Sequence, residues 1–197
     1  MSIDEVIAQL RLLGFRLPME SLRAFLEQAT RNRFSPVQIT EKLVEMERRE
    51  RDERNLLART RAATLGKFTP LDRFDWNHPR RIDRATYEQL HSTAEFIERG
   101  ENVLFRGPSG VGKTTLAQNL GLAALTRGYT VRFSTMAALL TDLLRRESLP
   151  ALDRCLRHRY VNPRLLIIDS CAAPGYVELP TEFAENRAFP RFPTPHN

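Results

Sequence analysis

A chain of 197 residues, 42% of them hydrophobic, is sized for one medium domain or for a domain with a helical extension. No stretch approaches the ~18–20 apolar residues of a membrane span, and the opening Met1 to Glu5 has no secretory character, so the expectation is a cytoplasmic protein with no membrane partner. Two cysteines, Cys155 and Cys171, and four scattered His offer neither a disulfide framework nor a metal cluster, while a net charge of +6 points to an acidic partner such as DNA.

That charge has a compositional side, because Arg outnumbers Lys 27 to 3. Residues 3–62 read as helical. Ile3, Val6, Ile7, Leu10 and Leu13 form one apolar stripe, and Gly14 and Pro18 break it. Met19, Leu22, Phe25, Leu26 and Ala29 form a second. Ser35 and Pro36 read as a cap followed by the first helical residue. The run Glu45 to Arg61 is dense in both signs of charge, with expected pairs Glu45–Arg49, Glu47–Arg51 and Glu50–Arg54. Its plainer reading is a solvated helix face; its sharper one is a face turned to DNA or a partner.

Gly66, Pro70 and Pro79 punctuate a linker that Leu71, Phe74 and Trp76 interrupt with apolar bulk. Packing on the following domain is the ordinary role for Phe74 and Trp76, and lining a nucleotide base is the alternative. Asp83 to Arg99 reads as one helix with Leu90, Ala94 and Ile97 inward, ending at Gly100. Val103, Leu104 and Phe105 read as a short buried strand.

Residues Gly107, Pro108, Ser109, Gly110, Val111, Gly112, Lys113 and Thr114 match G-x-x-x-x-G-K-[ST] at every fixed position, and a helix follows through Thr115 to Thr126. A strand, a glycine-rich loop and a helix together suit a triphosphate. Gly107, Gly110 and Gly112 let the backbone turn its N–H groups inward, and the helix adds its positive end. Lys113 is expected at the β- and γ-phosphates and the Thr114 hydroxyl at Mg²⁺, with Thr115 completing the binding segment. Tyr129 to Ser134 alternates as a second strand. Helices are expected at Met136 to Arg146 and at Ala151 to Tyr160. Leu165 to Ile168 then runs into Asp169, 56 positions after Lys113. An apolar strand ending in an acid suits a second Mg²⁺ contact beside the loop, so Thr114 and Asp169 are the candidate metal residues.

Five stretches carry a family resemblance. They are Leu12 to Ala29, the charged helix 45–61, the linker Leu71 to Trp76, the run Thr93 to Leu104, and the two nucleotide segments. The phosphate loop alone is generic, whereas Glu95 to Asn102 leading into it is much more specific. Together, over about residues 5–169, they resemble the IstB-like ATPases, helpers of bacterial insertion sequences. The resemblance implies a small N-terminal helical domain and an AAA+ ATPase domain. It also implies ATP-driven self-association on double-stranded DNA and support of a separate transposase.

The family has an acid after the strand-terminal Asp; this chain has Ser170, which cannot serve as a carboxylate base. Five of the 12 prolines lie in the last 24 residues, against further strands or helices. No sensor strand or arginine finger is recognisable there, and the switch after Asp169 resembles a truncated or frameshifted product. In AAA+ sheets the sensor strand lies between the phosphate-loop strand and the Asp strand, so its absence leaves those two without a shared ladder partner. No catalytic residue is therefore assigned. The expectation is ATP binding without appreciable turnover, checked by phosphate release from the chain and from Ser170→Glu.

The expected fold is α/β, a P-loop NTPase (AAA+-like) core with an incomplete parallel sheet behind an all-α N-terminal domain. Its parts are a helical domain over 1–65, a linker over 66–80, a partial ATP-binding domain over 81–169 and an irregular tail over 170–197. The competing readings are a helicase-loader-like ATPase of DNA replication, a small-molecule or nucleotide kinase on the same loop, and a non-catalytic DNA- or protein-binding module.

Overall fold

A computed structural model describes residues 2–77 and 82–169; the tail, with Ser170 and Cys171, and Pro79 lie outside the described residues. Three helices come first: α1 (Ile3–Leu12), α2 (Met19–Arg31) and α3 (Pro36–Ala63). Capping boxes start two of them. Ser35 accepts from the Gln38 N–H and Gln38 reaches back to the Ser35 N–H, with Pro36 at the first helical position. Ser2 and Glu5 do the same for α1, a pattern the sequence reading passed over. Gly14 leaves α1 at φ +87°, where other residues are strained, and turns the chain toward α2. Ile7, Leu17 and Leu22 are buried where α1 and α2 meet α3, with Leu43 and Met46 beside them.

Glu47 corrects the solvated-face reading of the charged helix. It is only 7% exposed, and its carboxylate accepts the N–H groups of Arg16 (2.9 and 2.8 Å) and Leu17 (3.0 Å) and the Arg51 Nε–H (2.6 Å). Burial by itself raises its pKa, but these hydrogen bonds outweigh it and hold the carboxyl below its ordinary value. The expected pairs Glu47–Arg51 and Glu50–Arg54 form, the second at 3.9 Å, whereas Arg49 turns to Glu53 at 3.0 Å rather than to Glu45.

α3 runs unbroken for 28 residues, about 42 Å at 1.5 Å per residue. Its far end belongs to a second core. Ala63 and Leu65 are buried there with Ala94, Phe96, Ile97, Leu120, Ala124, Leu125 and Val131. Each large side chain buried in this way contributes roughly 1.5–3 kcal/mol. The Thr64 hydroxyl donates to Phe133 O at 2.7 Å, tying the end of α3 to the sheet.

That sheet has two parallel strands among the described residues, β1 (Val131–Thr135) and β2 (Leu165–Asp169), in register from Val131 opposite Leu165 to Thr135 opposite Asp169. α7 (Met136–Leu144) and α8 (Leu149–Leu156) make the crossover that a parallel pair requires, followed by a wide π turn at Arg157–Val161. α6 (Lys113–Thr126) packs on the strands through Gly121. A Cβ there would lie 2.8 Å from Ile167 Cδ1 and 3.0 Å from Leu65 Cδ2, so this mid-helix glycine buys close approach at a cost of about 1 kcal/mol in helix propensity.

Two expectations change. The helix read across Asp83 to Arg99 is two, α4 (Arg84–Thr93) and α5 (Glu95–Arg99). Ala94 between them takes a left-handed φ of +54° and is itself buried, which turns Phe96 and Ile97 into the core. Gly100 does terminate α5, with the Glu101 N–H donating back to Phe96 O. Val103 to Phe105, read as a buried strand, forms no ladder among the described residues, and Leu104 is 87% exposed. A slot of about 200 Å³ separates that segment from β2, lined by Val103, Leu104 and Phe105 on one side and Leu165 to Asp169 on the other. A run with no neighbour at hydrogen-bonding distance has the residues of a strand but not its ladder.

Candidate functional site

The loop between Phe105 and α6 is shaped by its glycines. Gly110 and Gly112 stand at φ +81° and +85°, so the backbone reverses there in a conformation that side chains resist. Gly112 is constrained twice, because a Cβ on it would lie 2.5 Å from Phe74 Cε2 and 2.9 Å from Cζ. Lys113 opens α6 and arches back over the loop, its Nζ donating to Gly107 O at 2.8 Å and Pro108 O at 2.6 Å. Ser109 and Gly110 are exposed at the tip, and Val111 turns toward a cavity beside the loop. Thr115 lies in the first turn of α6, where its carbonyl accepts the Asn119 amide at 2.8 Å.

The structure brings Thr114 and Asp169 together. The Thr114 hydroxyl donates to Asp169 Oδ2 at 3.0 Å across 55 positions of sequence. β2 delivers the carboxylate from its C-terminal end and α6 delivers the hydroxyl from its N-terminal turn. Two oxygen donors with open surroundings fit Mg²⁺, which commonly takes one or two protein oxygens and completes its octahedron with water and phosphate. Among the described residues no group of three or more His, Cys, Asp or Glu is arranged so that it could hold a metal ion.

Lys113 borders two spaces. One is the slot against β2, where Lys113, Thr114 and Asp169 share the lining. The other, of about 630 Å³, lies between α4 and residues 103–108 and is walled by Ile82, Thr86, Tyr87, Leu90 and Val111. Tyr87 is 3% exposed, its hydroxyl donates to Leu116 O at 3.0 Å, and burial pushes its pKa far up, so it stays a neutral donor.

Neither Phe74 nor Trp76 lines these spaces. Both pack: their rings meet edge-on at 5.0 Å, and Trp76 lies 5.6 Å from Tyr87 with the Arg84 guanidinium 4.9 Å over its face. The ordinary reading of these residues holds, and the seat of Phe74 is the loop itself. Sequence periodicity had no means of finding that contact, since it joins residues 38 positions apart.

The exposed arginines of the charged helix have partners nearby. Arg48 and Arg49 are more than four-fifths exposed at the side chain and lie beside Asp52 and Glu53 on the same helix. No helix among the described residues is long and apolar enough to cross a membrane.

Comparison with known proteins places the chain in a family. Residues 6–188 match the family described as IstB-like ATP binding protein, past Asp169 where the sequence reading ended the resemblance. The chain is 34% identical over 160 residues to the ATP-binding protein of insertion sequence IS5376 from Geobacillus stearothermophilus, covering 81% of this chain and 62% of that one. It is 33% identical over 180 residues to the ATP-binding protein of insertion sequence IS21 from Pseudomonas aeruginosa, covering 89% and 66%. It is 28% identical over 184 residues to the corresponding protein of IS232 from Bacillus thuringiensis subsp. berliner, covering 93% and 72%. The chain thus spans less than two thirds of the length of the first two relatives. With a family match over most of its length, this chain belongs to the IstB-like ATP-binding proteins.

Proposed function

We propose that the chain binds ATP with Mg²⁺ at residues 107–115 and Asp169, and acts as an accessory protein of DNA transposition beside a transposase. The observation that carries the nucleotide reading is the Thr114–Asp169 hydrogen bond, which pairs the two oxygen donors a phosphate-bound Mg²⁺ needs at the mouth of the loop. Backbone N–H groups of the loop and the start of α6 supply the anion-binding surface. Lys113 now serves two loop carbonyls, and a phosphate would replace them with a charge-assisted contact. The cavity of about 630 Å³ is large enough for the nucleoside. Bound Mg²⁺ would neutralise charge between the β- and γ-phosphates.

The names of the relatives support the transposition role, which is proposed for this chain by similarity. Double-stranded DNA and self-association belong to the same proposal. The net charge of +6 supports the first, tempered by the acids that accompany the arginines of α3. The names of the relatives do not favour the competing readings, a helicase loader, a kinase or a non-catalytic binding module.

Titration with a fluorescent ATP analogue tests the site. Lys113→Ala is expected to abolish affinity, because it removes the point charge that faces the β- and γ-phosphates. Equal affinity in the two proteins would sink the assignment. For DNA, retention of unrelated duplexes should fall steeply with salt through counterion release, and no retention at low salt would reduce the charge to composition.

A further inference from the structure

The linker between the helical end and the nucleotide site is strapped along α6. Gly121 receives Leu65, whose carbonyl accepts the Gln118 Nε2–H at 2.6 Å. The next residue of α6, Asn119, donates its Nδ2–H to Thr69 O at 2.9 Å. At the end of the strap Phe74 rests on Gly112, the last loop residue before Lys113. The linker thus starts beside Gly121 at the core end of α6, is tied to Gln118 and Asn119 in the middle of the helix, and ends on Gly112 at the loop.

The same aromatic group reaches the other side of the loop. Phe74 meets Trp76, Trp76 meets Tyr87, and Tyr87 lies 6.3 Å from Phe105, two residues before Gly107. Tyr87 also binds the first turn of α6 through Leu116 O. A loop whose purpose is to point N–H groups inward carries many accessible conformations, most of them wrong for a phosphate. Holding both its ends limits that freedom before the ligand arrives, and affinity is gained by the ordering already done.

We infer that Phe74 is a positioning residue for nucleotide, holding the phosphate loop in its binding shape through contact with Gly112, and that Trp76 reports the state of that loop. This rests on the nucleotide reading above. Without the ring, the loop spends less time in the competent shape and the apparent affinity falls by the competent fraction. Occupancy of the loop also reaches the linker, and through it the end of α3.

The experiment uses the full chain. Trp76 is its sole tryptophan, so intrinsic emission belongs to one site. ATP with Mg²⁺ is titrated into wild type, Phe74→Ala and Phe74→Tyr, following Trp76 emission and, separately, a fluorescent ATP analogue. Phe74→Ala should weaken binding about tenfold, a competent fraction of about one tenth. Its Trp76 response at saturation should be lost, and Phe74→Tyr should restore both. A merely structural role would change the melting temperature without uncoupling the Trp76 response from occupancy. If circular dichroism shows Phe74→Ala unfolded, Phe74→Leu carries the test, with a several-fold loss and a diminished Trp76 response. Wild-type affinity in Phe74→Ala or Phe74→Leu would overturn the inference and leave the nucleotide reading standing, as would a wild-type Trp76 emission indifferent to saturating ATP. A wild type that binds no nucleotide would remove both.

Discussion

Two carboxylates show how the two ends of this molecule differ. Glu47 in the helical end is buried and filled: two backbone N–H groups and Arg51 occupy its oxygens. Asp169 at the end of β2 meets one hydroxyl, that of Thr114, among the described residues, and faces a slot. A carboxylate saturated by its own chain maintains structure, since removing it strands buried donors. One left with spare acceptor capacity at a cavity is available to a ligand. The lesson is that charge alone does not separate them. Sequence puts Glu47 in a helix crowded with charge and Asp169 at the end of an apolar strand, which would mark Glu47 as the solvated one.

The largest effect that sharpens this contrast is expected from Glu47→Ala. It leaves the Arg16 and Leu17 N–H groups without their acceptor, at a cost of about 2–4 kcal/mol in unfolding free energy, read by thermal or denaturant unfolding. Nucleotide affinity should be unchanged, because neither Glu47 nor any residue of α1 or α2 lines the loop cavities. A melting curve superimposable on wild type would break the structural reading of Glu47.

Asp169→Asn should do the reverse. The amide keeps an acceptor for Thr114 but carries no charge for a cation. The Mg²⁺-dependent part of ATP affinity should vanish while stability stays close to wild type, measured by titration with and without Mg²⁺. Retained Mg²⁺ dependence would place the cation elsewhere.

Acid gives the smallest effect and a sign. The folded pKa of Glu47 lies below its ordinary 4.5, so its contribution to stability is fully present above that value. That contribution is lost as pH falls through the lower folded pKa. The helical end should therefore loosen in acid, and Glu47→Gln, which has no proton to gain, should show a flatter dependence below pH 4.5 on unfolding measured by circular dichroism. Parallel pH profiles would assign the acid sensitivity to other groups.

The glycine turns of residues 107–112, the helix that opens at Lys113 and the strand that ends at Asp169 were legible in the residues because each is a local pattern with local physics. Glycines set a turn, an apolar run sets a strand, and a helix begins where a cap or a glycine permits. Ser35 and Pro36, Gly14 and Gly100 were readable on the same grounds. What the tertiary structure alone decided is every relation between distant positions. Glu47 met Arg16, Thr114 met Asp169 and Phe74 met Gly112 only once the helices and strands had packed. It also decided that Val103 to Phe105 has no ladder among the described residues and that Ala94 bends one expected helix into two. Propensity acts over a few residues, whereas strand pairing, burial and buried hydrogen bonds depend on which remote segments arrive alongside.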